Sequence, residues 1–281
     1  MTIINTFISD NDIVPSYTAL SLKKARELNP DTDIYFICKK KQPYFNSLSI
    51  KWVNQSEVVS ESIDKFNKLS WLKRHGRPNT EYPSPDDFWH KTFERIFYVS
   101  AFAKELNPEW FVHTENDVLM FYPLSHLIMS AHDTFSATLM SAKQATFAIT
   151  YVPHASYLEL LCDFFLGVME LGEEEIKKAT QEDHISEMTL LACAMREGII
   201  DTLPIVPMEG AHYVFDPGSY GQFFGGTNNG HGIGYMDDLH YPWMIGAEAY
   251  MKDGLPFAFF EDKELPIFNL HVHSKKLELF L

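Results

Sequence analysis

The residues best placed to do chemistry lie in NPEWFVHTENDVLMFYP, positions 107–123, where Glu115 and Asp117 stand two apart. They follow an apolar run, Trp110, Phe111 and Val112, that reads as a short buried strand, and a second apolar run occupies 118–121. Residues two apart in extended backbone point the same way, so both carboxylates would reach one spot. Carboxylates at the rim of an apolar strand cost free energy unless something neutralises them. A hard divalent cation with oxygen ligands would do so and would keep positions open for phosphate oxygens. The competing reading is an acidic turn in which Asn116 and Asp117 bond their own backbone.

A second group closes the chain. The run 267–272, IFNLHV, reads as a strand and ends in His271, His273, Ser274 and Lys275. Two histidines at i and i+2 could face one cation, and a lysine just beyond could reach a diphosphate; a structural or surface role is the alternative. Arg95 sits within an apolar helical stretch and needs a partner there. Glu182 and Asp183 precede a predicted helix over 185–197, with Glu187 inside it, where acids serve as caps or dipole partners or as a general base on a rigid element. Positions 216–234, DPGSYGQFFGGTNNGHGIG, hold half of the 14 glycines. They match neither a P-loop nor a dinucleotide fingerprint, so glycine here is expected to let backbone approach a ligand.

The elements that must position these groups follow an α/β pattern. Strands are predicted at 3–8, 33–38 and 50–53, with a helix over 16–28 ended by Asn29 and Pro30. Such an alternation predicts a parallel sheet with ligands at the carboxyl ends of its strands, where Phe7, Ser9 and Asp10 would lie; an ordinary strand-to-helix loop is the alternative. A helix over 88–106 delivers the chain through Asn107 and Pro108 into the acidic strand end. Further strands are predicted at 136–140 and 147–152, and a helix at 156–171. The stretch 60–87 reads as a lid-like excursion, with Lys73, Arg74 and Arg77 available to phosphates or simply solvated.

Together these parts resemble the metal-dependent glycosyltransferases of the GT-A fold. Phe93, Glu94, Arg95 and Ile96 leading to Val112, His113, Thr114, Glu115, Asn116 and Asp117 look like the family's helix followed by its DxD element. Glutamate replaces the first acid, a variant the fold tolerates because the last acid usually holds the metal. The segment 271–275 is similar to the C-terminal metal and diphosphate segment of several members, and 216–226 to glycine-containing loops of bacterial and algal-virus members. The resemblance implies an α/β, Rossmann-like mixed sheet flanked by helices in one continuous domain. Its donor half would span 1–122, and its acceptor half, carrying the C-terminal metal segment, 123–281. It implies transfer of a hexose or pentose from a nucleotide sugar, UDP-linked by family habit, to a glycan acceptor hydroxyl.

In that reading Asp117, Glu115 and His271 hold Mn2+ or Mg2+, Lys275 pairs with a phosphate oxygen, and Asn116 lies beside them. Arg95 would hold the donor sugar or diphosphate, with an internal salt bridge as the competing account. Phe7, Ser9 and Asp10 flank the base or ribose. Inversion is expected, with Asp183 as the acceptor base and Glu182 and Glu187 behind it; a retaining route stays open. A nucleotidyltransferase making nucleotide sugars and a non-enzymatic carbohydrate-binding module are the rivals.

Composition narrows the alternatives. The 281 residues suffice for a sizeable core, and 46% hydrophobic with 22% charged residues is ordinary for a globular chain. A formal net charge of −15 argues against a nucleic-acid surface but not against a nucleotide screened by a metal and a few cations. Three cysteines at wide spacing give no zinc or disulfide pattern, which points to a reducing compartment. The start, MTIINTFISDND, lacks a basic segment before a long apolar one, and no apolar run reaches bilayer length. The expectation is a soluble, cytoplasmic protein with no membrane span.

Overall fold

The computed structural model describes residues 1–9, 13–69, 88–131, 133–183, 185–228 and 230–281. In chain order its first elements are β1 (Thr2–Phe7), α1 (Thr18–Leu28), β2 (Asp33–Cys38), β3 (Lys51–Asn54), α2 (Glu61–Asn67), α3 (Phe88–Leu106), β4 (Phe111–Thr114), β5 (Val118–Met120) and α4 (Leu124–Ala131). There follow β6 (Ser136–Ser141), β7 (Gln144–Val152), α5 (Ala155–Glu170), α6 (Glu173–Thr180), α7 (Glu187–Arg196), β8 (Asp201–Thr202), α8 (Ser219–Gly225) and α9 (Tyr241–Met244). The chain ends with β9 (Glu248–Lys252), β10 (Leu255–Phe260), β11 (Lys263–Pro266) and β12 (Asn269–His271).

Seven strands form a mixed sheet in the order β3-β2-β1-β4-β7-β6-β8. β1 lies parallel to β2 and to β4, with Asn5 opposite Thr114, and β7 runs antiparallel to both β4 and β6. The sheet therefore draws strands from both 1–122 and 123–281. Helices cover both faces, as the α/β reading expects. Alternation along β1 builds two cores at once: Ile4 packs with Phe93, Phe97 and Phe165, and Ile3 packs with Leu22, Phe36 and Leu127. Each fully buried isoleucine contributes about 1.5–3 kcal/mol, so a one-residue slip of β1 would forfeit both faces.

α3 presents Phe93, Ile96 and Phe97, all fully buried, at helical spacing. It stops at Asn107, whose φ of 47° is the left-handed position that asparagine tolerates, and Pro108 then forbids continuation. The strand that follows carries the acids differently from the expectation. Glu115 extends the ladder through its N–H to Ala148 O at 2.9 Å, and Val118 N–H then bonds Glu115 O at 3.2 Å. The acidic pair thus spans a tight turn rather than extended backbone.

After that turn β5 pairs antiparallel with β12, placing His271 opposite Val118. Val272 N–H adds a bond to Asp117 O at 2.9 Å. The predicted strand at 267–272 is shorter than expected, since Ile267 bridges to Val214 instead. A third core, with Leu119, Tyr220 and Leu270, packs this small sheet against α8. The hairpins β9-β10-β11 turn at Asp253 and Gly254 (φ 52° and 78°) and at Glu261 and Asp262 (φ 48° and 63°). No helix among the described residues is long and apolar enough to cross a membrane. The three cysteines are buried and free.

Candidate functional site

A cleft of about 780 Å³ opens where β1 and β4 end, lined among others by Phe7, Ser9, Arg95, Asn116, Asp117 and Lys275. This is the carboxyl edge of the parallel strands, where ligands of α/β sheets collect. Glu115 and Asp117 reach it from the turn after β4, and His271 from the end of β12. The backbone bonds between β5, Asp117 and β12 fix how far apart the two distant segments can be.

They meet closely. His271 Nε2 lies 3.2 Å from Asp117 Oδ2 and 3.6 Å from Glu115 Oε2. One ligand atom from each of Glu115, Asp117 and His271 falls within 4.8 Å of the others. Lys275 Nζ donates to Asp117 Oδ2. Burial works against the charge on Asp117, but Lys275 and His271 more than offset it and hold the carboxyl well below its usual range. Burial likewise disfavours protonated His271, and the charges of Asp117 and Glu115 outweigh it, so its pKa is raised. The Tyr17 phenol is pushed up by burial and by the same two carboxylates.

On the other side of Glu115 the cluster is locked. Arg95 Nη2 sits 2.7 Å from Glu115 Oε1 and 3.2 Å from Glu187 Oε1, and Thr92 Oγ1 donates to Glu187 Oε2 at 2.7 Å. Arg95 thus pairs with both acids while also lining the cleft. Burial raises the Glu187 pKa against the pull of Arg95 and Thr92. His113, beneath this pair, stacks on Phe147 and bonds Ile4 O through Nδ1 at 2.9 Å. Burial, reinforced by Arg95, lowers its pKa to about 3.

The donor set, two carboxylates and an imidazole, suits a borderline or hard divalent ion. The charge balance agrees: Glu115, Asp117 and Glu187 face two permanent cations, Arg95 and Lys275, leaving one negative charge when His271 is neutral. His271 turns Nε2 to the acids, while its buried Nδ1 has no hydrogen-bond partner among the described residues. These residues fit a bound cation.

Of the remaining predicted residues, Phe7 and Ser9 line the cleft, and so does Asn116, whose buried Oδ1 has no partner among the described residues. Asp10, and with it Lys73, Arg74 and Arg77, lies outside the described residues. Asp183 is exposed and does not belong to the cleft lining, and Glu182 is paired to Lys143 at 3.0 Å. The carboxylate this segment sends into the cleft is Glu187. The helix begins there because Ser186 and Thr189 form a reciprocal capping box, two residues later than periodicity suggested. Asp237, which lines the cleft beside Tyr235 and Asn228, was missed in a stretch with no helical or strand period. His273, at the cleft wall, accepts at Nδ1 from Gln222 at 2.6 Å.

No protein-family model matches the chain, and no curated protein matches it in sequence. Among solved structures it is similar to the galactosyltransferase LgtC in complex with donor and acceptor sugar analogues. The identity is 13%, with 78% of this chain and 77% of that one covered and a TM-score of 0.46. It is also similar to mouse xyloside xylosyltransferase 1, with 8% identity, 72% and 84% covered and a TM-score of 0.44. A third is the bacterial N-acetylglucosamine transferase NleB, with 9% identity, 72% and 92% covered and a TM-score of 0.35.

Proposed function

We propose that this chain is a divalent-metal-dependent glycosyltransferase that moves a sugar from a nucleoside diphosphate sugar to an acceptor hydroxyl. The observation that carries the reading is the convergence of Glu115, Asp117 and His271 within 4.8 Å, with Lys275 on the same carboxylate, at the strand ends of an α/β sheet. Departure of a diphosphate concentrates negative charge, and catalysis requires groups preorganised to receive it. A bound Mn2+ or Mg2+ supplies Lewis-acid stabilisation of that charge.

The chain's own residues divide the work. Glu115, Asp117 and His271 would hold the ion. Lys275 is free to exchange Asp117 for a phosphate oxygen, a charge-assisted bond of comparable strength. Arg95 fixes the Glu115 carboxylate and is itself fixed by Glu187, so one ligand arrives already oriented. Phe7 and Ser9, at the end of β1, are placed for the base and ribose. A UDP-linked donor and a glycan acceptor follow from the resemblance of the acidic and histidine–lysine segments to GT-A enzymes.

Inversion needs a carboxylate facing the acceptor hydroxyl. Asp183 stands outside the cleft lining, whereas Asp237 lies within it and is bridged to no lysine or arginine among the described residues. We therefore place the base at Asp237. Asp237→Asn is expected to lower transfer by about 10²-fold or more, with Asp183→Asn near native; the reverse pattern would return the role to Asp183.

The test of the whole reading is a screen of nucleotide sugars for donor hydrolysis with and without Mn2+. Turnover that needs the metal and is lost in Asp117→Asn and His271→Ala is expected. Pyrophosphate release from a nucleoside triphosphate and a sugar phosphate would favour a nucleotidyltransferase instead. Glycan binding without any metal-dependent nucleotide binding would favour a carbohydrate-binding module.

A further inference from the structure

The segment 216–222, DPGSYGQ, contributes no ligand atom to the cluster, yet it is built around the strand that does. Asp216 is fully buried. Its Oδ1 accepts from Gly218 N–H at 2.7 Å and Tyr220 N–H at 2.9 Å. Its Oδ2 accepts from Gly221 N–H at 2.7 Å and from His271 N–H at 2.8 Å. Burial raises its pKa and these N–H donors oppose the rise. A buried carboxylate met by backbone donors alone is costly to build, so its geometry calls for a purpose.

That purpose is visible in what β12 touches. On one edge β12 is tied to the acidic turn, through its pairing with β5 and the Val272 bond to Asp117 O at 2.9 Å. On the other edge the His271 N–H is held by Asp216. The glycines let the segment come close: a Cβ at Gly221 would lie 2.0 Å from His271 O. At Gly218, where φ is +108°, a Cβ would lie 2.8 Å from His273 Nε2. Gln222 then brackets the His273 ring, which packs edge-on against His271 with centroids 4.4 Å apart.

We infer that Asp216 is a positioning residue of the cation site, clamping the His271 backbone so that Nε2 is presented to Glu115 and Asp117, with Gln222 steadying the neighbouring imidazole. This rests on the metal-site reading above. Outer groups that orient metal ligands typically change affinity by about 10- to 100-fold when removed.

The test is calorimetric titration of MnCl2 into the full chain, with folding checked by thermal melts in chelator. Asp216→Asn keeps the shape and one carbonyl oxygen, but whichever way its amide turns, one pair of N–H donors loses its acceptor. Mn2+ affinity is expected to fall about tenfold. A lowered melting temperature with Mn2+ affinity within twofold of native overturns the inference. Should Asp216→Asn fail to fold, Gln222→Ala decides: about tenfold weaker Mn2+ binding is expected, and native affinity overturns it. His271→Ala, run alongside, separates the two readings. If it binds Mn2+ like the native chain, the metal site itself is wrong, and the Asp216 role falls with it.

Discussion

Glu115 belongs to two ion clusters that differ in kind. Toward α3 and α7 it meets Arg95, which also holds Glu187, and His113 lies beneath with its pKa lowered to about 3. Toward β12 it meets His271, whose pKa is raised, beside Asp117 and the partly exposed Lys275. The first cluster is balanced by a guanidinium that cannot deprotonate and is bonded on two sides. The second is balanced by an imidazole that can lose its proton and a lysine on a flexible stem. One side is thus held by a fixed charge, and the other by charges that can be lost or moved.

The difference is sharpest in what each mutation should damage. Arg95→Met leaves the buried Glu187 and the partly buried Glu115 without their guanidinium, so unfolding free energy should fall by about 3–5 kcal/mol, measurable by urea denaturation. A loss below about 1 kcal/mol would mean the locked cluster is not structural. Lys275→Met leaves Asp117 still paired with His271, so it should cost less stability than Arg95→Met and split two affinities in opposite directions. Mn2+ alone should bind severalfold tighter, because nothing competes for Asp117, while a nucleoside diphosphate added to the Mn2+-loaded chain binds about tenfold weaker. Equal changes of both affinities would count against Lys275 as the phosphate cation.

The two imidazoles give the smallest and most specific contrast. Unfolded His113 takes a proton below its ordinary value near 6.5, but folded His113 resists until about 3. Its contribution is therefore complete above the ordinary value and is lost as pH falls through that window. The slope is up to about 1.4 kcal/mol per pH unit. His113→Asn, which can still donate to Ile4 O, should flatten the stability profile between those limits by up to one proton; an unchanged slope would contradict the assignment. His271 has the opposite sign. Its raised pKa makes stability from the Asp117 pairing present at low pH and lost as pH rises through the folded value, and Mn2+ binding should strengthen over that same rise.

Much of this was readable in the residues. The helix Phe88–Leu106 and the strand Asp33–Cys38 fall where apolar period and the flanking prolines place them. The acid pair and the histidine–lysine end were both conspicuous by residue type. Their meeting is a tertiary fact, decided by the pairing of β5 with β12, which strands of only three residues each do not advertise. Asp183 and Glu187 show how a local detail decides which acid reaches the cleft: a Ser186 and Thr189 capping box starts the helix two residues late and buries the later acid. The hairpin at Asp253 and Gly254 carried the strongest short turn signal available and went unread, whereas the turn at Glu261 and Asp262 puts positive φ on a glutamate, which seldom signals it. Asp216 had no sequence cue beyond its glycine company, because three of its donors are backbone groups of its own loop and the one that ties it to β12, His271 N–H, lies 55 residues away.

The central claim is that three side chains from two remote segments hold one divalent ion, and anomalous diffraction from crystals soaked in Mn2+ tests it most directly. The account predicts a single strong peak about 2.0–2.4 Å from Glu115, Asp117 and His271, with Lys275 displaced from Asp117. No peak there, with Lys275 still bonded to Asp117 at saturating Mn2+, would contradict it.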